Sequence, residues 1–187
     1  MSNGTFTRPR PLKAGRSIGL FAPSGIINSE RHEMSVVRLE ELGYRVTVTE
    51  EAHEQWRYFA GTDAQRVASF HRLLSDPTVD ALMMIRGGYG WSRLLHLVDW
   101  ELVKEVNKPL IGFSDFTALS LGALSQSNLI TYAGPGATID FVSGAVEQGE
   151  KVIVFSCFDE PLQAFAKAFS DQAVLLSYFR NNVLHLF

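Results

Sequence analysis

The sequence has a single cysteine, Cys157, so no disulfide can close within the chain. That leans towards a reducing compartment. Cys157 sits in the apolar run 152–158 with no histidine near it, so it reads as a small buried hydrophobe rather than a nucleophile. A surplus of positive charge is also missing. The formal net charge is -3 and the lysines and arginines are scattered, which gives no electrostatic reason to expect nucleic acid. The short cluster Arg8-Pro9-Arg10 reads as a solvated arm. No apolar run is long enough to span a bilayer, and residues 1–16 lack the apolar segment of a signal peptide. The expectation is a cytoplasmic protein with no membrane partner. His, Cys, Asp and Glu nowhere fall at metal-ligand spacing, so neither a metal nor another cofactor is expected.

Hydrophobic residues make up 46% of the 187, enough for one domain with a core of useful size. Short apolar runs predict strands over 17–22, 44–48, 81–85, 109–113 and 129–132. Between them, amphipathic or capped stretches predict helices. The first spans 29–42, with Ser29 as its cap and Gly43 past its end. The next opens at Thr62-Asp63, presents Val67, Phe70, Leu73 and Leu74 on one face, and stops near Asp76-Pro77. Others are expected over 92–97, 100–106 and 114–125. Strands alternating with helices predict an α/β fold, a mainly parallel sheet flanked by helices in the Rossmann-like manner. Beyond Val142 the pattern weakens to a loop at 144–149, a strand at 151–158, a helix at 161–169 and an apolar tail at 173–187 without a clear period. The expected organisation is an arm (1–16), an α/β domain (17–141) and a remainder (142–187).

In such sheets ligands bind beyond the C-terminal strand ends. Three loops fall there: Pro23-Ser24-Gly25, Arg86-Gly87-Gly88-Tyr89-Gly90 and Phe113-Ser114-Asp115. Ser114 follows a strand and starts a helix, the setting of a nucleophile elbow, and Gly112 leaves the turn uncrowded. The fifth position is Phe116 rather than glycine, so the usual hydrolase pattern is met only in part. Ser114 and Asp115 are equally the residues of an ordinary helix N-cap, and the motif alone leaves both readings open. The glycines at 87, 88 and 90 let backbone N–H groups approach a ligand, as half an oxyanion hole, as a phosphate cradle or as a plain tight turn. Arg86 offers a planar fork for a substrate carboxylate, and is equally read as a surface ion-pair partner. Among the histidines, His32, His53 and His71 are expected at the surface, His96 packed among leucines, and His185 near the fraying end. None stands out as a general base.

In order and on matching elements, four segments resemble the LD-carboxypeptidase family, also called muramoyltetrapeptide carboxypeptidases. They are Gly19-Leu20-Phe21-Ala22-Pro23-Ser24-Gly25; Phe59-Ala60-Gly61-Thr62-Asp63; Ala81-Leu82-Met83-Met84-Ile85-Arg86-Gly87-Gly88-Tyr89-Gly90; and Leu110-Ile111-Gly112-Phe113-Ser114-Asp115. Gly134-Pro135 also fits, and the resemblance covers about residues 17–141. It implies a class I amidotransferase-like domain of a cytoplasmic serine peptidase that removes a terminal D-alanine from the murein tetrapeptide in cell-wall recycling. It implies Ser114 as nucleophile, the N–H groups of Asp115 and of Gly87-Gly88 as oxyanion hole, and Arg86 and Ser24 as substrate contacts. A related branch hydrolyses a peptide-nucleotide antibiotic and confers immunity. The family takes the glutamate and histidine of its triad from a C-terminal domain that this chain does not match, so neither is assigned here. Impaired activity is therefore expected. A non-catalytic remnant that holds a muropeptide, and a nucleotide-binding protein using the glycine loop, stay open as alternatives. Members often pair, which leaves a homodimer open too.

Overall fold

The computed structural model describes residues 6–134, 176–179 and 183–186. The chain forms two units, Met1–Thr138 and Ile139–Phe187. In the first, five strands make one parallel sheet: β1 (Ser17–Phe21), β2 (Arg45–Val48), β3 (Ala81–Met84), β4 (Leu110–Gly112) and β5 (Tyr132–Ala133). Their order across the sheet is β2-β1-β3-β4-β5. The chain leaves β1 towards one edge, then returns past it to start β3 on the other side. That reversal opens a crevice at the C-terminal ends of β1 and β3.

Why the sheet holds is legible in the alternation of its central strands. Ile18, Leu20 and Ala22 turn to one face, with Leu39 of helix α1 (Ser29–Glu41) and Ile27. Phe21 turns to the other, as do Leu82 and Met84 of β3. There they meet Phe70, Leu73 and Leu74 of α2 (Asp63–Ser75), Trp91 and Leu94 of α3 (Trp91–Leu94), Val103 of α4 (Trp100–Val106), and Phe116, Leu119 and Ala123 of α5 (Phe116–Ser127). Strands buried on both faces read as continuous apolar runs, which is how β1 and β3 stand in the sequence. Gly19 suits this packing, because a Cβ there would lie 3.0 Å from both Leu73 and Val79 and press on them.

Element ends differ from the sequence expectations in instructive ways. The cap of α1 is Asn28, whose side chain accepts from the Arg31 N–H, rather than Ser29. Both residue types cap well, and backbone geometry chooses between neighbours. Thr62 caps α2 as expected, with Gln65 completing a reciprocal capping box. The last expected strand, 129–132, is displaced to Tyr132–Ala133. Asn128 takes a left-handed conformation to close α5, and Leu129 bridges Thr7 instead. The segment around Arg8-Pro9-Arg10 is thus tethered: Thr7 bonds on both sides of Leu129 and Pro9 is buried, although both arginines are exposed.

In the second unit β6 (Leu176–Phe179) and β7 (Val183–Leu186) form an antiparallel pair, in which His185 lies opposite Ser177. The readings of 144–149, 151–158 and 161–169, and Cys157, lie outside the described residues.

Of the histidines expected at the surface, His53 is exposed but His32 and His71 are not. His32 is 5% exposed and its ring lies 5.2 Å from that of His53. His71 is half-buried, and its Nε2 accepts from the Asp99 N–H. His96, by contrast, is exposed despite the leucines around it, because a short 3-10 turn over Leu95–Leu97 points it outward. Burial lowers the pKa of His32 most, with His53 adding to it, and burial likewise lowers His71. The fold therefore binds these protons less readily than the unfolded chain does. The stability that follows is fully present above the ordinary imidazole range and is lost as pH falls through it. Unfolding free energy should drop from about pH 7.5 to about pH 5.5, and His32→Leu should flatten part of that slope in urea titrations across this range.

Candidate active site

Ser114 lies between β4 and α5 and adopts φ 61°, a left-handed conformation. Two of the other three non-glycine residues with positive φ are asparagines, which tolerate it; a serine there stores about 1 kcal/mol or more of strain. The strain persists because both flanks are fixed. Ahead of it, Ile111 pairs with Tyr132 and Gly112 with Ala133. Behind it, the Ser114 carbonyl accepts from the N–H and the hydroxyl of Thr117 in the first turn of α5. Gly112 has a specific reason: a Cβ would lie 2.5 Å from Phe116 Cδ2. The fully buried Phe116 ring, rather than a second glycine, fills the inside of this elbow.

The exposed Ser114 side chain faces the glycine loop. A Cβ added at Gly87 would sit 3.0 Å from Ser114 Cβ and 3.3 Å from Oγ, so any side chain there would press on the serine. Gly88 has φ 132°, a conformation that favours glycine, and a Cβ added there would lie 3.6 Å from the Gly25 nitrogen at the β1 end. Among the described residues, no hydrogen bond engages the N–H groups of Gly87, Gly88 and Asp115. Unspent donors around an exposed hydroxyl at a helix N-terminus are the elements of an oxyanion site.

Asp115 resolves the N-cap ambiguity. It occupies the cap position of α5, yet its side chain makes no cap hydrogen bond. Its Oδ2 instead accepts from the Ser24 hydroxyl at 2.7 Å and from the Trp91 N–H at 2.8 Å. Ser24 is fully buried, so its hydroxyl is committed inside the protein and does not face the crevice as a substrate contact would. Arg86 is exposed, and its Nη1 donates to the Ile26 carbonyl at 2.5 Å. That bond holds the guanidinium beside Gly25, where its remaining N–H groups are free to meet an anion.

Behind the loops lies a residue that the sequence reading missed. Arg66 of α2 is fully buried and donates to the carbonyls of Pro23 and Gly61 and to Asp63. Its guanidinium also covers the Phe59 ring, 4.3 Å from the centroid. Asp63 in turn accepts from Arg93 at 3.0 Å, and that hydrogen bond, more than the neighbouring charges, lowers its pKa. Arg66 falls at helical spacing from Phe70 and Leu73, on the apolar face, and a charge placed there was the signal to follow. Gly90 completes the packing: a Cβ would lie 2.5 Å from the Pro23 carbonyl and 2.8 Å from Arg66 Nη1. No described histidine bonds the Ser114 hydroxyl, and no cluster of metal-ligating residues occurs among the described residues.

Residues 18–134 match the family described as LD-carboxypeptidase N-terminal domain. The chain belongs to this family. It is 33% identical over 139 residues to the murein tetrapeptide carboxypeptidase of Pseudomonas aeruginosa, covering 72% of this chain and 45% of that protein. To the microcin C7 self-immunity protein MccF of Escherichia coli it is 30% identical over 134 residues, covering 70% and 39%. Among solved structures, an MccF-like protein from Bacillus anthracis superposes with a TM-score of 0.68 at 30% identity, over 79% of this chain and 48% of that one. The muramoyltetrapeptide carboxypeptidase of Oxalobacter formigenes does so with a TM-score of 0.63 at 25% identity, over 82% and 48%. The chain thus spans about half the length of the relatives it matches. Ser114 and the loops around it all lie within the matched residues.

The left-handed serine generates a direct expectation. Ser114→Gly and Ser114→Ala both lose the hydroxyl, but only glycine relieves the conformation. Ser114→Gly should be the more stable of the two by about 1 kcal/mol, read as a higher midpoint in urea or thermal unfolding. Equal midpoints would mean that the elbow is not strained in solution.

Proposed function

We propose that this chain carries the nucleophile half of a serine LD-carboxypeptidase, which removes a C-terminal D-amino acid from a murein tetrapeptide in the cytoplasm. The observation that carries this reading is the strained, exposed Ser114 set against Gly87 at the C-terminal edge of a parallel sheet. In the reaction, Ser114 Oγ attacks the scissile carbonyl, and its proton passes to a general base. Charge then develops on the carbonyl oxygen, where the N–H groups of Asp115 and of Gly87-Gly88 would receive it. The amine of the D-amino acid leaves with a proton, and water releases the acyl-enzyme. Arg86 meets the terminal carboxylate of the peptide in this scheme, as a planar fork suits. Ser24 is reassigned from substrate contact to support, on the strength of its burial and its bond to Asp115.

Family kinship attributes the base to a histidine oriented by a glutamate from a C-terminal domain. No residue of this chain is assigned to either role. Without that base the serine stays protonated and turnover is expected to be weak.

A second reading, hydrolysis of a peptide-nucleotide conjugate, rests on the likeness to MccF. Exposed rings at Phe113, beside the serine, and at Tyr89, in the glycine loop, suit stacking on a planar base.

Two measurements decide. A fluorophosphonate probe should label the chain at Ser114 slowly and leave Ser114→Ala unlabelled; an unlabelled parent chain refutes the nucleophile assignment. D-Alanine release from murein tetrapeptide, set beside cleavage of an aminoacyl nucleotide sulfamate, should favour the tetrapeptide. Preference for the nucleotide would move the assignment to the immunity branch.

A further inference from the structure

The two halves of the oxyanion site lie on different loops, 24 residues apart in sequence as measured from Trp91 to Asp115. Something must hold them in register, because donors of this kind lose effect when they drift from the oxygen they serve. The sheet sets the starting points of the loops at its last paired residues in these strands, Met84 and Gly112, but the loops themselves extend beyond them. Between the glycine loop and the elbow, the described structure offers one direct polar tie: the Trp91 N–H to Asp115 Oδ2. The same oxygen takes the Ser24 hydroxyl from the β1 loop. Both donors belong to fully buried residues, and the acceptor, Asp115, is half-buried. The β1 loop is then fastened behind, through Ala60 N–H to the Ser24 carbonyl and through Arg66 to the Pro23 carbonyl.

We propose that the Asp115 carboxylate is the positioning residue of this site, a single half-buried acceptor that fixes the glycine loop and the β1 loop against the nucleophile elbow so that both sets of oxyanion donors converge. A carboxylate suits the task better than a neutral acceptor, since bonds to a charged oxygen are shorter and stronger. The charge itself works against an oxyanion nearby, which is a reason to spend Oδ2 on two donors. This inference rests on the proposed nucleophile role of Ser114 for its chemical readout, but not for its structural one.

The test uses the full chain and three variants: Asp115→Ala, Asp115→Asn and Ser24→Ala. Asparagine can still accept from both donors through its carbonyl oxygen. Fluorophosphonate labelling of Ser114 should slow by about tenfold or more in Asp115→Ala, by less in Ser24→Ala, and should recover most of that loss in Asp115→Asn. Amide hydrogen exchange should quicken at Arg93 and Ala60 in Asp115→Ala while core amides such as Leu82 keep their protection, and asparagine should restore the slow rates. An alanine variant that labels as fast as the parent, or an asparagine variant as slow as alanine, would overturn the positioning role. If the parent chain does not label at all, the nucleophile assignment fails by itself. Exchange at Arg93 and Ala60 then still decides, and unchanged protection in Asp115→Ala would overturn the proposal.

Discussion

Three loops from three strands meet on one oxygen. Asp115 Oδ2 accepts the Ser24 hydroxyl and the Trp91 N–H, and through them the ends of β1, β3 and β4 act as one surface. A parallel sheet brings those strand ends to the same edge but does not tie the loops that leave them. Hydrogen bonds from buried donors to a shared carboxylate do. The glycines follow from this closeness. Gly87 stands against Ser114 and Gly90 against the Pro23 carbonyl because the loops pass nearly at backbone contact. The left-handed serine follows as well, since its strain is tolerable only where both flanks are held.

The buried Arg66 belongs to the same design. An isolated guanidinium in the interior would be costly. Here it satisfies two backbone carbonyls that have no strand partner, together with Asp63, and lies over Phe59. The charge is thus spent on fastening the back of the β1 loop. The loops in front carry exposed residues, Ser114, Arg86, Tyr89 and Phe113. Rigid support behind and adaptable groups ahead is the division expected of a site whose chemistry depends on position.

The family match and the candidate site fall on the same stretch of chain. The matched region, residues 18–134, holds the sheet, the elbow and both facing loops. The relatives are about twice as long. In the proposed reaction this chain would supply the nucleophile and the oxyanion donors, and no residue of it is assigned to proton transfer.

Much of the fold was legible in the residues. The apolar runs at 17–22 and 81–85, the Thr62 cap and the glycine after α1 encode local structure, because backbone propensity and burial on both faces act over a few neighbouring residues. The motif around Ser114 was equally visible, as were the glycine loop and Arg86. What could not be read was which polar side chains face inward. Asn28 displaced Ser29 as a cap, His32 went into the interior, and Ser24 turned away from the crevice, each decided by neighbours remote in sequence. Ser24 and Asp115 are 91 residues apart, and only the β2-β1-β3-β4-β5 order brings them together. The sequence by itself determined an α/β domain with a serine at a strand-to-helix turn. Tertiary structure alone decided that this serine is left-handed, that Asp115 joins loops instead of capping its helix, and that Arg66 is buried, because hydrogen-bond partners across a sheet edge leave no local pattern in the chain.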